Sequence, residues 1–199
     1  MWWGLLMLTF VGASAAFLWE SVVVRRAEGR LPLLGDVQDF ALTDQDHRPL
    51  TRQTLLGSTW VADFIYTECG SQCPRMSRQM ARIQSLLPKE STMKLLSISV
   101  DPEHDTPEVL ARYAQRYGAD PTRWWFATGS SDTLHRLAEN FKLAPRGPSA
   151  ESFTLNHSNR LILVDSGSHI RGYYEGTDDQ AVQQLIKDMS SLAAKDVGP

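Results

Sequence analysis

The chain has 199 residues, 42% of them hydrophobic, and a formal net charge of -3 at neutral pH. That length holds one domain of ordinary size with a real core plus one appended segment, and with no basic footprint nucleic acid is excluded as an expected partner. No glycine-rich phosphate loop, His-Glu-x-x-His pairing, internal repeat or low-complexity tract is visible, so nucleotide and zinc-protease readings have no starting point.

From the N-terminus, Trp2 to Trp19 carries no charged residue, and Glu20, Val22 to Val24 and Arg25-Arg26 come directly after it. Such a run spans a bilayer, and Trp2, Trp3 and Trp19 suit the two interfaces, so residues 1–26 are read as one transmembrane anchor. A cleaved signal peptide is the rival reading. Ala13-Ser14-Ala15 resembles a small-residue cleavage site, although the usual basic leading region is missing. Arg25-Arg26 favours a cytoplasmic position for the domain beyond the anchor, whereas cysteine chemistry favours an oxidising space, and the second consideration places the domain outside the cytoplasm, in the periplasm if the source is bacterial.

Residues 27–36, with Gly29, Pro32 and Gly35, read as a tether, and the soluble domain is expected over 37–192 with a tail at 193–199. Phe40 and Leu42 alternate with polar neighbours before the turn chemistry of Asp44 to His47, which predicts a hairpin closed by Thr51 to Leu56. Trp60 to Tyr66 is an apolar run that reads as a buried strand. Pro74 is expected to start the next helix, whose stripe of Met76, Met80, Ile83 and Leu87 reads as core packing and ends at Pro88. Lys94 to Val100 reads as a central strand, Pro107 to Tyr117 as a helix capped by Thr106 and stopped by Gly118, and Trp124 to Ala127 as a short strand. Ser131 is expected to cap a helix bearing Leu134, Leu137 and Phe141; a long loop from Leu143 to Asn156 then delivers His157 to a hairpin, Arg160 to Val164 with Ile170 to Tyr174. Thr177-Asp178-Asp179 opens the last helix, with Val182, Leu185, Ile186 and Met189 inward, while His47 reads as a turn residue, His104 and His135 as solvent-facing and His169 as a bystander in its turn. The succession predicts an α/β domain with a central mixed sheet flanked by helices.

Both cysteines of the chain fall in Thr67-Glu68-Cys69-Gly70-Ser71-Gln72-Cys73-Pro74, at the exit of the central strand. They face the positive end of the following helix, which favours thiolate, the form that attacks disulfides and binds metals. The three-residue spacer leaves a disulfide and a shared soft metal ion both open. A purely structural bridge closing so short a loop would constrain the unfolded chain little.

These residues resemble the Sco/SenC group of thioredoxin-like copper proteins that assist assembly of cytochrome c oxidase. The resemblance rests on Ala62 to Thr67 leading into Cys69-x-x-x-Cys73-Pro74, on Ser97 to Pro107, on Trp125 to Gly129 and on Asn156-His157-Ser158, in order and at similar separations. It implies a thioredoxin-like fold, Cys69, Cys73 and His157 as ligands of one copper ion, Cu(I) or Cu(II), and Asp101 supporting them from behind. It also implies as partners the copper-site subunit of cytochrome c oxidase and another copper chaperone or a thioredoxin-like reductant. Gly70-Ser71-Gln72 departs from the family by lacking the proline or acidic residue that many relatives place between the cysteines. The competing reading is a membrane-tethered thiol-disulfide oxidoreductase, although such enzymes usually have a two-residue spacer; a peroxiredoxin-like peroxidase has less support, because the chain has no second distant cysteine to resolve an oxidised one.

Overall fold

The computed structural model describes residues 31–143 and 159–196, and side chains as far as residue 194. The expected anchor at 1–26 and the segment with His157 lie outside the described residues. Among those described, no helix is long and apolar enough to cross a membrane.

The unit Leu33–Pro199 is built on one eight-stranded sheet in the order β1-β8-β7-β4-β5-β6-β2-β3. The strands are β1 (Gly35–Asp36), β2 (Ala41–Asp44), β3 (Pro49–Thr51), β4 (Trp60–Ile65), β5 (Lys94–Ser99), β6 (Trp124–Thr128), β7 (Arg160–Val164) and β8 (His169–Glu175). The helices are α1 (Arg52–Leu55), α2 (Gln72–Leu86), α3 (Pro107–Arg116), α4 (Ser131–Asn140) and α5 (Asp179–Asp196). β4, β5 and β6 run parallel, joined by α2 and α3, and all other pairings are antiparallel. The expected mixed α/β sheet is thus present.

β4 is buried along its whole length, as a strand covered on both faces must be. Its side chains alternate. Trp60, Ala62 and Phe64 join the cluster of Leu134, Leu137 and Phe141 around α4, and Phe141 meets the Trp60 and Phe64 rings edge-on at 6.2 and 5.7 Å. Asp63, on the opposite face, accepts from Ser97 Oγ at 2.6 Å, and Ser97 Oγ in turn accepts from Trp124 Nε1 at 2.9 Å. On α2 and α3, Ser77 and Tyr113 share a buried hydrogen bond, and Tyr113 packs on Phe126. Met76, Met80 and Ile83 are buried, as the core reading expects.

Four local expectations change. Gly35–Asp36, read as tether, pairs with His169–Ile170 as an edge strand. α1 interrupts the segment after the first hairpin, its start held by reciprocal bonds of Thr51 and Thr54. Ser130 rather than Ser131 caps α4, accepting from Thr133 N at 3.3 Å. α2 starts at Gln72 instead of Pro74, because the backbone N–H groups of a first turn have no helical acceptor, and proline fits anywhere within that turn.

Candidate metal centre

The sheet carries the chain to the carboxyl end of β4, where Val100 N still donates to Ile65 O at 2.9 Å. There the strand ends in a turn. Cys69 N donates to Tyr66 O at 3.2 Å, closing the four residues Tyr66 to Cys69 with Thr67 at the first corner. α2 then begins, and Cys73 lies in its first turn. Its backbone N–H, which no helical carbonyl can take, donates to Cys69 Sγ at 3.3 Å. Both thiols are free and buried, with 5% and 6% of their surfaces exposed.

Their environments pull them apart. Burial alone raises the Cys69 thiol, but the backbone N–H groups of Cys73 and Ser71, the Cys73 thiol and the Tyr66 hydroxyl outweigh it and bring it down to about 7. Cys73 is pushed up to about 12, first by burial and then by the sulfur of Cys69 and the charges of Cys69 and Asp63, against a backbone contact from Tyr66. Near neutral pH Cys69 is therefore the thiol that ionises, while Cys73 keeps its proton. Donating to that sulfur raises the Tyr66 hydroxyl. Asp63, fully buried, is raised to about 7 because desolvation outweighs its bond from Ser97; among the described residues its Oδ2 has no partner.

The rim is set by the segment after β5. Asp105 is wholly buried and takes the Thr67 N–H at 3.2 Å, the Thr67 hydroxyl and the Ser99 hydroxyl at 2.6 Å. Asp101, expected to support the ligands, pairs with exposed His104 at 2.9 Å, and that carboxylate raises the imidazole. His47 stands at a hairpin corner with φ 62, and His169 bonds Asp165, so both serve turns. His135, expected to be solvent-facing, is half-buried beside Glu139.

The structure brings Cys69 and Cys73 together; His157 lies outside the described residues. Among the described residues no three His, Cys, Asp or Glu side chains gather as a metal cluster, so the two sulfurs are a partial donor set. That set fits a soft ion: both donors are sulfur, both are buried, and one ionises near neutral pH. Asp63, Asp105 and Tyr66 were not picked out by sequence reasoning. A lone acid inside an apolar strand was the available signal for Asp63, while nothing local ties Asp105 to Thr67.

Residues 35–194 match the model of the SCO1/SenC family. The chain belongs to that family. The SCO1 protein homolog of Bacillus subtilis is 31% identical over 165 residues, covering 81% of this chain and 85% of the relative. A Stutzerimonas stutzeri protein named for copper binding is 31% identical over 148 residues, covering 72% of this chain and 71% of its own. The structure of BsSco, a Sco family cytochrome c oxidase assembly protein in which a disulfide switch was identified, matches with a TM-score of 0.71 at 30% identity, covering 82% of this chain and 98% of that one. In this SCO1/SenC chain the two thiols sit at the carboxyl end of the parallel strands, where open α/β sheets place their ligands.

Proposed function

We propose that this SCO1/SenC chain binds copper through Cys69, Cys73 and His157 and serves assembly of cytochrome c oxidase, either delivering the ion to the copper-site subunit or keeping that subunit's thiols reduced. The carrying observation is the buried pair of free thiols with Cys69 Sγ held on the N–H of Cys73. Two sulfurs satisfy Cu(I), and an added imidazole makes a site acceptable to Cu(II). His157 is supported by where the chain re-enters the described fold. Gly176 N donates to Asn159 O at 2.6 Å, and a Cβ on Gly176 would stand 2.5 Å from Met76 Sδ, one turn past Cys73. Two residues of chain, at most about 7 Å, separate Asn159 from His157.

The organisation that goes with this role is an anchor at 1–26, a tether that ends where β1 begins at Gly35, and a copper-binding domain outside the cytoplasm that runs from β1 through α5, which takes in the first residues of the expected tail. A further copper chaperone or a thioredoxin-like reductant loads or reduces it. Metal analysis of the reduced protein, with competition titration against a Cu(I) chelator, tests the reading: tight copper binding lost in Cys69→Ser and in Cys73→Ser is the expected result, and retention in both variants overturns it.

The asymmetry of the two thiols also favours thiol-disulfide exchange, since a thiolate near pH 7 attacks while its buried partner waits. Turnover of a model disulfide at rates of a dedicated reductase, with copper leaving stability unchanged, would make that second reading the better one.

A further inference from the structure

We infer that Asp105 is the positioning residue of the thiol pair: through Thr67 it fixes the turn that holds Cys69 against the first turn of α2. A wholly buried carboxylate is costly to desolvate, and among the described residues every partner of Asp105 is a neutral donor, so the site spends that cost on geometry rather than on an ion pair. Both oxygens of Asp105 face Thr67 N, at 3.3 and 3.2 Å, and Oδ1 also accepts from the Thr67 hydroxyl, so a residue 38 positions away grips both polar ends of Thr67. Ser99 Oγ donates to Oδ2 at 2.6 Å and accepts from Asp101 N at 3.0 Å, which ties the carboxylate to the end of β5. Asp105 N donates to Asp101 O at 2.9 Å and closes the loop that carries it.

The grip reaches the sulfur through three bonds. Asp105 holds Thr67, Thr67 is the first corner of the turn closed by Cys69 N on Tyr66 O, and the turn sets Cys69 Sγ where Cys73 N can donate to it. In this arrangement the two sulfurs are not bonded to each other. Forming the Sγ–Sγ bond breaks two S–H bonds, passes two electrons and two protons to the oxidant, here oxidised dithiothreitol, and leaves Cys69 Sγ a poorer acceptor for the Cys73 N–H that it takes in the dithiol. The grip therefore favours the dithiol, and loosening it shifts the pair toward the disulfide.

The test is the equilibrium of the metal-free full chain, purified in detergent, with oxidised and reduced dithiothreitol. Thr67→Val removes the hydroxyl at constant shape, Asp105→Asn replaces one acceptor oxygen with a donor, and Thr67→Ser restores the hydroxyl. Ser130→Ala, at the cap of α4, lowers stability without touching the thiol loop. The expected result is a shift of about tenfold toward disulfide in Thr67→Val and Asp105→Asn, about 30 mV for a two-electron couple, with wild-type behaviour in Thr67→Ser and Ser130→Ala. Equal shifts in Ser130→Ala, or an equilibrium constant in Thr67→Val within twofold of wild type, overturn the inference; should Asp105→Asn not fold, the comparison of Thr67→Val with Thr67→Ser decides it alone. Of the proposed function, only the working of Cys69 and Cys73 as a pair is needed here. A protein that binds no copper would sink that function and leave this result standing.

Discussion

At Cys69 and Cys73 one short stretch of chain yields two thiols of opposite character. Cys69, brought down to about 7 by the N–H groups around it, should react with iodoacetamide at a rate that rises with a midpoint near pH 7 in Cys73→Ser, where the serine hydroxyl still offers a donor. Cys73 in Cys69→Ser should stay slow throughout that range; equal rates for the two variants at pH 7 would contradict the asymmetry. Asp63 gives a second handle, in stability. Its folded pKa of about 7 lies above the ordinary 3.8, so the folded state holds its proton where the unfolded chain releases it, and stability falls as pH rises from about 4 to 7. The cost across that window is of order 4 kcal/mol. Asp63→Asn, which keeps an acceptor for Ser97, should flatten denaturation midpoints across that window, and an unchanged slope would remove Asp63 as its source. The thiol motif was legible because two cysteines and a proline mark it within eight residues. Asp105 was not, since its partner Thr67 lies 38 residues away and only the parallel pairing of β4 with β5 brings their ends together.

Among the elements, β4, β5 and α2 could be read directly, because a continuous apolar run and a Met76, Met80, Ile83 stripe each announce one geometry. β1 could not, since two residues carry no period and their pairing depends on β8. The start of α2 lies two residues before the expected Pro74 for a reason that matters to the site: a proline suits the whole first turn, so Pro74 does not mark its first residue, and Cys73 enters the helix. The join between α2 and the start of β7 rests on a missing side chain. A Cβ on Gly176 would stand 2.5 Å from Met76 Sδ, 2.9 Å from Asn159 O and 3.0 Å from Leu161 Cγ. Because one of these atoms is backbone, Gly176→Ala should cost about 1–3 kcal/mol in chemical denaturation. A variant as stable as wild type would mean that β7 and α2 yield freely.

For the whole molecule, the unit Leu33–Pro199 holds the sheet with its helices, so a fragment of residues 33–199 should express as a folded soluble protein when its thiols are kept reduced. The full chain should stay with membranes after a carbonate wash on the strength of the uncharged run Trp2 to Trp19, whereas a mature protein beginning at Ala16 would show a cleaved signal. Fold and family were legible from the order of motifs; of the three donors the sequence suggests, the described residues join the two sulfurs, and His157 lies outside them. The most direct measurement is the sulfur-to-copper charge-transfer absorption on titrating the reduced protein with Cu(II), for wild type, Cys69→Ser, Cys73→Ser and His157→Ala. A band in wild type that saturates near one copper per chain, collapses in either cysteine variant and shifts or weakens in His157→Ala is the predicted result. A band unchanged in His157→Ala, or none in wild type, would contradict the copper site proposed for Cys69, Cys73 and His157.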